Sequence, residues 1–224
     1  GLLLFYICKN KNIKRIRYTT SHPNNFDDQI YSAYEKLPQL VSHLHLPIQS
    51  GSDKVLAAMK RGYTVLEYKS VIKKLKKVRS DMTFSSDFIV GFPGETEDDF
   101  LKTIDIIKDI GFDQSYSFIY SKRPGTPAAS IKDDINESVK KERLNYLKET
   151  INTLSKNRSH SIIGEKAEIL VEGVSTKFKN MVTGRTKNNK IINIPGKDNL
   201  IGELVKIQIT EFNNKSLKGE ILTT

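Results

Sequence analysis

The spacing of apolar residues changes most sharply between Ser85 and Phe100, in the stretch SSDFIVGFPGETEDDF. Phe88, Ile89 and Val90 form a short apolar run stopped by Gly91-Phe92-Pro93-Gly94, which suits a strand buried on both faces and ended by a turn. Glu95 to Asp99 then crowds negative charge into the first turn of a helix, against the positive end of its dipole, and Phe100, Ile104 and Ile107 continue at helical spacing. A buried strand, a glycine-rich turn and an amphipathic helix make one βα unit of a parallel sheet, and in such sheets ligands sit where strands end and helices begin. Asp87, Ile89 and Gly91 alternate onto one face, so a carboxylate stands in an otherwise apolar strand.

The same pattern recurs on both sides of this unit. Lys14 to Thr20 alternates charged with β-branched and aromatic residues and predicts a strand closed by Ser21-His22-Pro23. A short helix is expected from Phe26 to Lys36. Ser42 to Ile48 predicts the next strand, with His43 and His45 on one face and Leu44 and Leu46 on the other. Gln49-Ser50-Gly51-Ser52-Asp53 then caps a helix running to about Lys60. Past Arg61-Gly62-Tyr63-Thr64, the residues Val65, Tyr68, Ile72 and Leu75 mark the apolar stripe of another helix whose lysines face water. Gln114 to Tyr120 is the fourth strand, and it ends in the loop Ser121 to Pro127, on the ligand side by the same rule. Parallel connections of this kind are right-handed, so the pieces form part of a (β/α) barrel with its ligand loops on one rim. Four strands are too few to close one, which leads us to expect a longer parent.

Glu137 to about Arg158 predicts a long polar helix packed through Leu144, Leu147, Ile151 and Leu154. Beyond it the period becomes that of strands: Ala167–Val171, Met181–Thr186, Ile191–Ile194, Leu204–Ile209 and Leu217–Ile221, punctuated by Gly173, Asn188-Asn189, Pro195-Gly196, Gly202 and Asn213-Asn214. That spacing predicts a small antiparallel barrel of the OB kind. The expected organisation is therefore an α/β domain over 1–160 and an all-β barrel over 161–224.

Composition narrows the chemistry. With 224 residues, 38% hydrophobic and 28% charged, the chain is globular in type, and no apolar run approaches the length of a bilayer span. Mean hydropathy is -0.42. The run Leu2 to Cys8 has no basic region before it and is not a signal peptide. A start on Gly-Leu-Leu-Leu-Phe, without Met, reads as a piece of a longer protein. The single cysteine, Cys8, excludes an internal disulfide framework and a cysteine-ligated cluster within these residues, and points to the cytosol. Two histidines at the spacing of His43 and His45 can ligate a metal, yet no third ligand lies nearby, and interior histidines satisfied by hydrogen bonds are the better reading. The net charge of +10 favours a polyanion, RNA above all. Residues 161–224 carry 10 basic and 7 acidic residues, a net +3 that leaves +7 for the first 160.

Taken together, His43-Leu44-His45-Leu46-Pro47-Ile48-Gln49-Ser50-Gly51-Ser52-Asp53, Arg61-Gly62-Tyr63-Thr64, Asp87 through Thr96 and Arg123-Pro124-Gly125-Thr126-Pro127 resemble the radical SAM methylthiotransferases. Val171-Glu172-Gly173, Gly184-Arg185-Thr186, Ile201-Gly202 and Ser216-Leu217-Lys218-Gly219-Glu220 are similar to a TRAM domain, an RNA-binding barrel. Thr19-Thr20-Ser21-His22-Pro23 and Phe118-Ile119-Tyr120-Ser121 tilt the likeness toward the MiaB type, which acts on tRNA, over the RimO type, which acts on a ribosomal protein. The likeness runs from about Lys14 to Glu220. It implies a cytoplasmic enzyme, fed by an electron donor, that uses S-adenosylmethionine (SAM) and two 4Fe–4S clusters to add a methylthio group to carbon 2 of N6-isopentenyladenosine beside the tRNA anticodon. Related members act on threonylcarbamoyl-adenosine or a protein, and a stand-alone RNA-binding module is a further reading. The family's C-x3-C-x2-C loop does not occur in this sequence, so this polypeptide alone is expected to be inactive.

From their places at strand ends, Gln49, Ser50 and Asp87 are candidates for contacts to SAM, and the Gly91 to Gly94 turn for backbone contacts to the nucleoside. Arg123 suits either the methionine carboxylate or a substrate phosphate. In the small barrel, Lys177, Lys179, Arg185, Lys187 and Lys190 are candidates for phosphate contacts to RNA, with Phe178 the aromatic among them.

Overall fold

A computed structural model describes residues 1–19, 22–213 and 216–222. Thr20 and Ser21, at the end of the first predicted strand, and Asn214, in a predicted turn, lie outside the described residues. In chain order the elements are α1 (Leu2–Cys8), α2 (Asp28–Lys36), β1 (His43–His45), α3 (Asp53–Ala58), α4 (Val65–Val78), β2 (Thr83–Ser85), β3 (Asp87–Val90), α5 (Glu97–Ile110), β4 (Tyr116–Ile119), α6 (Glu137–Ser161), β5 (Lys166–Val174), β6 (Met181–Thr186), β7 (Ile191–Pro195), β8 (Leu204–Asn213) and β9 (Ser216–Ile221), with three short 3-10 turns between them. By packing, the chain forms two compact units, one of residues 1–18, 32–43 and 156–224, the other of residues 19–31 and 44–155.

In the second unit, β3 and β4 pair in parallel with Asp87 opposite Tyr116 and Ile89 opposite Phe118. A parallel bridge joins Gln49 to Phe88, and the Leu46 amide donates to the Ser85 carbonyl at 2.9 Å. The chain from Leu44 to Gln49 therefore runs beside the chain from Ser85 to Ile89, and this beside β4. Leu44, Leu46, Phe88 and Val90 are buried, whereas Asp87 and Ile89 are half-buried and Tyr116 and Phe118 exposed. One sheet face thus carries the core, and the polar and aromatic residues look out from the other.

Helix ends follow their sequence signals. Thr96 and Asp99 form a reciprocal capping box at the start of α5, and Thr64 and Glu67 form one at the start of α4. Gly111 ends α5 in the left-handed conformation, as a C-terminal glycine does. Behind the sheet, Tyr68 of α4 packs against Phe112, which meets Phe88 edge-on at 5.3 Å, and the Tyr68 hydroxyl donates to the Leu46 carbonyl at 2.7 Å.

The small barrel closes in the order β5-β6-β7-β9-β8, antiparallel except for the β7–β9 pair. Its interior holds Ile169, Val171, Val182, Ile192, Ile194, Ile207, Ile209 and Leu217, alternate residues of the five strands. The five strands predicted over 167–221 all form, most of them one to four residues longer than the apolar pattern indicated.

Lys14 to Thr20 is a correction. Its described residues form no strand; a lone bridge pairs Ile16 with Leu40. Its arginines explain the difference, because they serve as donors to the first unit's barrel: Arg15 to the carbonyls of Arg185 and Glu168, Arg17 to Asn189 Oδ1 at 2.7 Å. Alternation here marks an extended segment bound by its side chains rather than a ladder.

Candidate functional site

At the ends of the parallel strands the second unit has a cavity of about 370 Å³, lined among others by Gln49, Met59, Lys60, Arg61, Ile89, Phe92, Tyr120 and Arg123. Four separate segments contribute: the strand end at Gln49, the C-terminal end of α3, the β3–α5 turn, and the end of β4 with its following loop. The walls are apolar and aromatic, with Phe92 and Tyr120 edge-to-face at 5.0 Å. Gln49 has φ +79°, a left-handed conformation unusual for a residue with a side chain and of the kind found at ligand sites. The buried Tyr120 hydroxyl has no hydrogen-bond partner among the described residues. A buried hydroxyl without a partner costs free energy unless a ligand or water satisfies it. Arg61, whose Nε donates to the Tyr63 hydroxyl, and the exposed Arg123 bring positive charge to the cavity. An aromatic slot with a free hydroxyl, a carboxamide and two guanidiniums suits a ligand with a flat ring, hydroxyl groups and an anionic end.

The turn after β3 is held on two sides. Gly91 has φ +69° and Gly94 φ +79°, so both take conformations that favour glycine. The Gly91 amide donates to Glu95 Oε2 at 2.8 Å, the Gly94 amide to Asp134 at 3.3 Å, and the Gly94 carbonyl accepts from Lys54 Nζ at 2.9 Å. Glu95 is buried, and burial pushes its carboxyl pKa up against the opposing pull of the Gly91 amide and Arg143. Asp99 shows the opposite outcome. Burial would raise it, but donors from Ser52, the Thr96 amide and hydroxyl, and Lys54 hold it well below the usual carboxylate range.

Of the residues singled out from the sequence, Gln49 and Arg123 line the same cavity, and Asp87 lies two residues before Ile89, which also lines it. Asp87 sits 3.5 Å from His45 Nε2, while His45 Nδ1 is 2.9 Å from Ser85 Oγ. Ser50 is a correction: it is fully buried, 3.3 Å from Thr103 Oγ1, and accepts from the Ser52 amide, so it braces the turn before α3. The Gly91 and Gly94 amides are a second correction, since both already donate to protein acceptors, Glu95 and Asp134. Phe92, Tyr120 and Met59 were not singled out from the sequence as site residues, although they line the cavity. Only their position next to a strand end or at a helix end distinguishes them.

On the barrel, Lys177 and Lys179 are exposed on the β5–β6 loop. Arg185 is engaged by Glu172 at 3.2 Å and by Asn189, and Lys187 lies 3.8 Å from Glu168. Lys190 is the third correction: it is buried, with Nζ 3.3 Å from Ser159 Oγ, and is removed from any phosphate. Lys218, which the sequence did not single out, lies 5.2 Å above the Phe178 ring.

Among the described residues no group of three His, Cys, Asp or Glu side chains is placed to hold a metal. Cys8 is a single half-buried thiol whose pKa burial pushes up, away from the thiolate a cluster requires. The residues present therefore fit the polar, ring-bearing ligand and do not fit an iron–sulfur cluster. No helix is long and apolar enough to cross a membrane among the described residues.

Comparison with known proteins gives two family matches, the radical SAM superfamily over residues 1–107 and the TRAM domain over residues 161–222. The tRNA-2-methylthio-N(6)-dimethylallyladenosine synthase of Coxiella burnetii (strain RSA 493 / Nine Mile phase I) is 54% identical over 221 residues, 99% of this chain and 50% of that protein. The synthases of the same name from Albidiferax ferrireducens (53%, covering 99% and 49%) and Xylella fastidiosa (strain 9a5c; 52%, covering 100% and 45%) are similar to the same extent. The chain spans about half the length of the curated relatives it matches. With both matches in this order and more than half its residues identical to these synthases, the chain is similar to them from end to end of its own length.

Proposed function

We propose that this chain is the part of a tRNA methylthiotransferase that completes the SAM pocket and grips the RNA, in an enzyme adding a methylthio group to carbon 2 of N6-isopentenyladenosine next to the anticodon. The observation that carries the reading is the whole-length identity to synthases of that name, joined to a cavity of matching chemistry at the strand ends. Residues 1–160 are read as the C-terminal part of a radical SAM barrel and 161–224 as the TRAM domain. The site of action is read as the cytoplasm.

In this reading Gln49 and the Tyr120 hydroxyl meet the hydroxyls and ring nitrogens of SAM, Phe92 and Tyr120 enclose its flat ring, and Arg123 pairs with its carboxylate or with a substrate phosphate. Asp87, oriented by His45, faces the same open side of the sheet and is kept as a further polar contact. When bound, SAM supplies the hydrogen-abstracting radical and the methyl group. The chain's residues exclude water from it and fix its orientation. Two 4Fe–4S clusters and an electron donor belong to the enzyme as the family has it, and their ligands come from outside these residues. Lys177 and Lys179, with Arg185 and Lys187 once released from their carboxylates, meet tRNA phosphates. The test is nucleoside analysis of tRNA from cells lacking the gene. The 2-methylthio-N6-isopentenyl nucleoside should vanish and N6-isopentenyladenosine accumulate; an unchanged methylthio content would sink the proposal.

A further inference from the structure

We infer that Arg143 of α6 is a positioning residue for the cavity, acting through the Gly91–Glu95 turn, with the Lys140 stem as the floor of that turn. This rests on the reading of the cavity as the SAM pocket. Arg143 stands 48 residues from Glu95, yet its Nη1 donates both to the Glu95 carbonyl at 3.2 Å and to Glu95 Oε2 at 2.9 Å. The same Oε2 accepts the Gly91 amide, so one buried carboxylate ties the first residue of the turn to the last and both to a guanidinium from another helix. Arg143 is itself fixed by Glu97 at 3.0 Å and by the Phe100 ring at 5.5 Å from its central carbon.

Lys140, one turn earlier on α6, supplies the second half of the device. Its Cγ lies 2.6 Å from where a Cβ on Gly91 would stand, and its ammonium is taken up by Asp133 and Glu137. The turn thus rests on a methylene stem and is drawn down by a guanidinium. Phe92, directly after Gly91, is the residue this arrangement aims into the cavity, against Tyr120. A buried ion pair is a poor source of net stability compared with apolar packing, but it fixes geometry, because a displaced partner leaves a buried charge uncompensated. Placed under a turn that forms a cavity wall, it serves to hold that wall.

The test uses the full gene product and three variants: Arg143→Gln, Arg143→Lys and Lys140→Met. Three quantities are read: the dissociation constant for SAM, amide exchange across residues 91–95, and exchange in β3 and α5. Loss of a charged hydrogen-bond donor at Arg143→Gln should weaken SAM binding about tenfold and speed exchange in the turn. Exchange in β3 and α5 should hold. Arg143→Lys, keeping the charge and one of the two bonds, should recover part of the loss. Lys140→Met keeps the stem and should stay within about twofold of the parent. Exchange in the turn that is unchanged in Arg143→Gln, or raised equally in β3 and α5, would overturn the inference. If the unaltered protein fails to bind SAM, the cavity reading falls, and the exchange data still decide whether Arg143 holds the turn.

Discussion

The small barrel and the strand-end turn of the α/β unit solve opposite problems. The barrel's core cluster is aliphatic, eight Ile, Val and Leu side chains from five strands; the few polar side chains buried beside it, Thr186, Lys190, Asn193 and Ser216, are not part of that cluster and include no carboxylate, and ion pairs such as Lys218 with Glu211 lie outside. The α/β unit has an apolar core too, but around its ligand-side turn it buries Glu95, Asp99, Arg143 and Lys140. Aliphatic packing gives stability that does not depend on direction, whereas buried charges are costly and directional. The contrast teaches where each region does its work. The barrel needs only to persist and to present its surface, while the turn must hold a particular shape.

The strongest way to break this comparison is to cut into the aliphatic core. Ile192 is fully buried in β7, whose neighbours are β6 and β9. Ile192→Ala should lower the stability of the barrel by about 2–5 kcal/mol, through lost burial and the cavity left behind. Exchange protection of the β6, β7 and β9 amides reads this locally. A loss below about 1 kcal/mol would mean that the barrel draws its stability from elsewhere.

The two regions also differed in how legible they were. All five barrel strands could be read from alternation, because a closed barrel with one buried face forces period two on every strand and puts turn residues between them. The α/β elements were legible one at a time, since the capping signals at Thr64 and Thr96 and the stop at Gly111 are local. Lys14 to Thr20 was misread because alternation does not say whether a partner strand exists or whether, as here, Arg15 and Arg17 find carbonyl and amide oxygens more than 150 residues away. At the site, Gln49 and Arg123 were legible from their places after strands. The Glu95–Arg143 pair was not, because nothing along the sequence links a carboxylate in a turn to a guanidinium on a polar helix 48 residues on. Ser50 and Lys190 were picked for chemistry that their neighbours Thr103 and Ser159 already use.

A smaller effect sharpens the comparison from the polar side. Asp99 accepts from the Thr96 amide and hydroxyl, from Ser52 and from Lys54, and its folded pKa lies below the unfolded one. A depressed carboxylate stabilises the fold above its unfolded pKa, and the contribution is lost as pH falls through the folded one. Stability of the α/β unit should therefore decline as pH drops below about 4, the ordinary aspartate value. Asp99→Asn should remove about 1 kcal/mol at neutral pH, as loss of a good cap does, and flatten the decline at acid pH. Urea midpoints measured across that range test both parts. A variant with the parent's full acid dependence would show that another carboxylate is responsible. Barrel amides, with no such buried carboxylate in their core, should show no matching change with pH.

The least costly change tests what the barrel surface is for. Lys177 and Lys179 are exposed on the β5–β6 loop, so their joint replacement by Gln should alter stability by no more than about 0.5 kcal/mol. If each meets one phosphate of a single-stranded segment, the pair should lower the slope of log affinity against log salt by about 1.4, at roughly 0.7 per contact. Lys190→Met is the matched control, because the Lys190 ammonium is buried against Ser159. It removes one positive charge from the barrel where the loop pair removes two, so net charge alone predicts about half the pair's slope change for it and surface contact predicts none. Titrating tRNA binding of the full gene product against salt for both variants separates the two accounts. A slope that falls with Lys190→Met but not with the loop pair would place the RNA on a different face of the barrel.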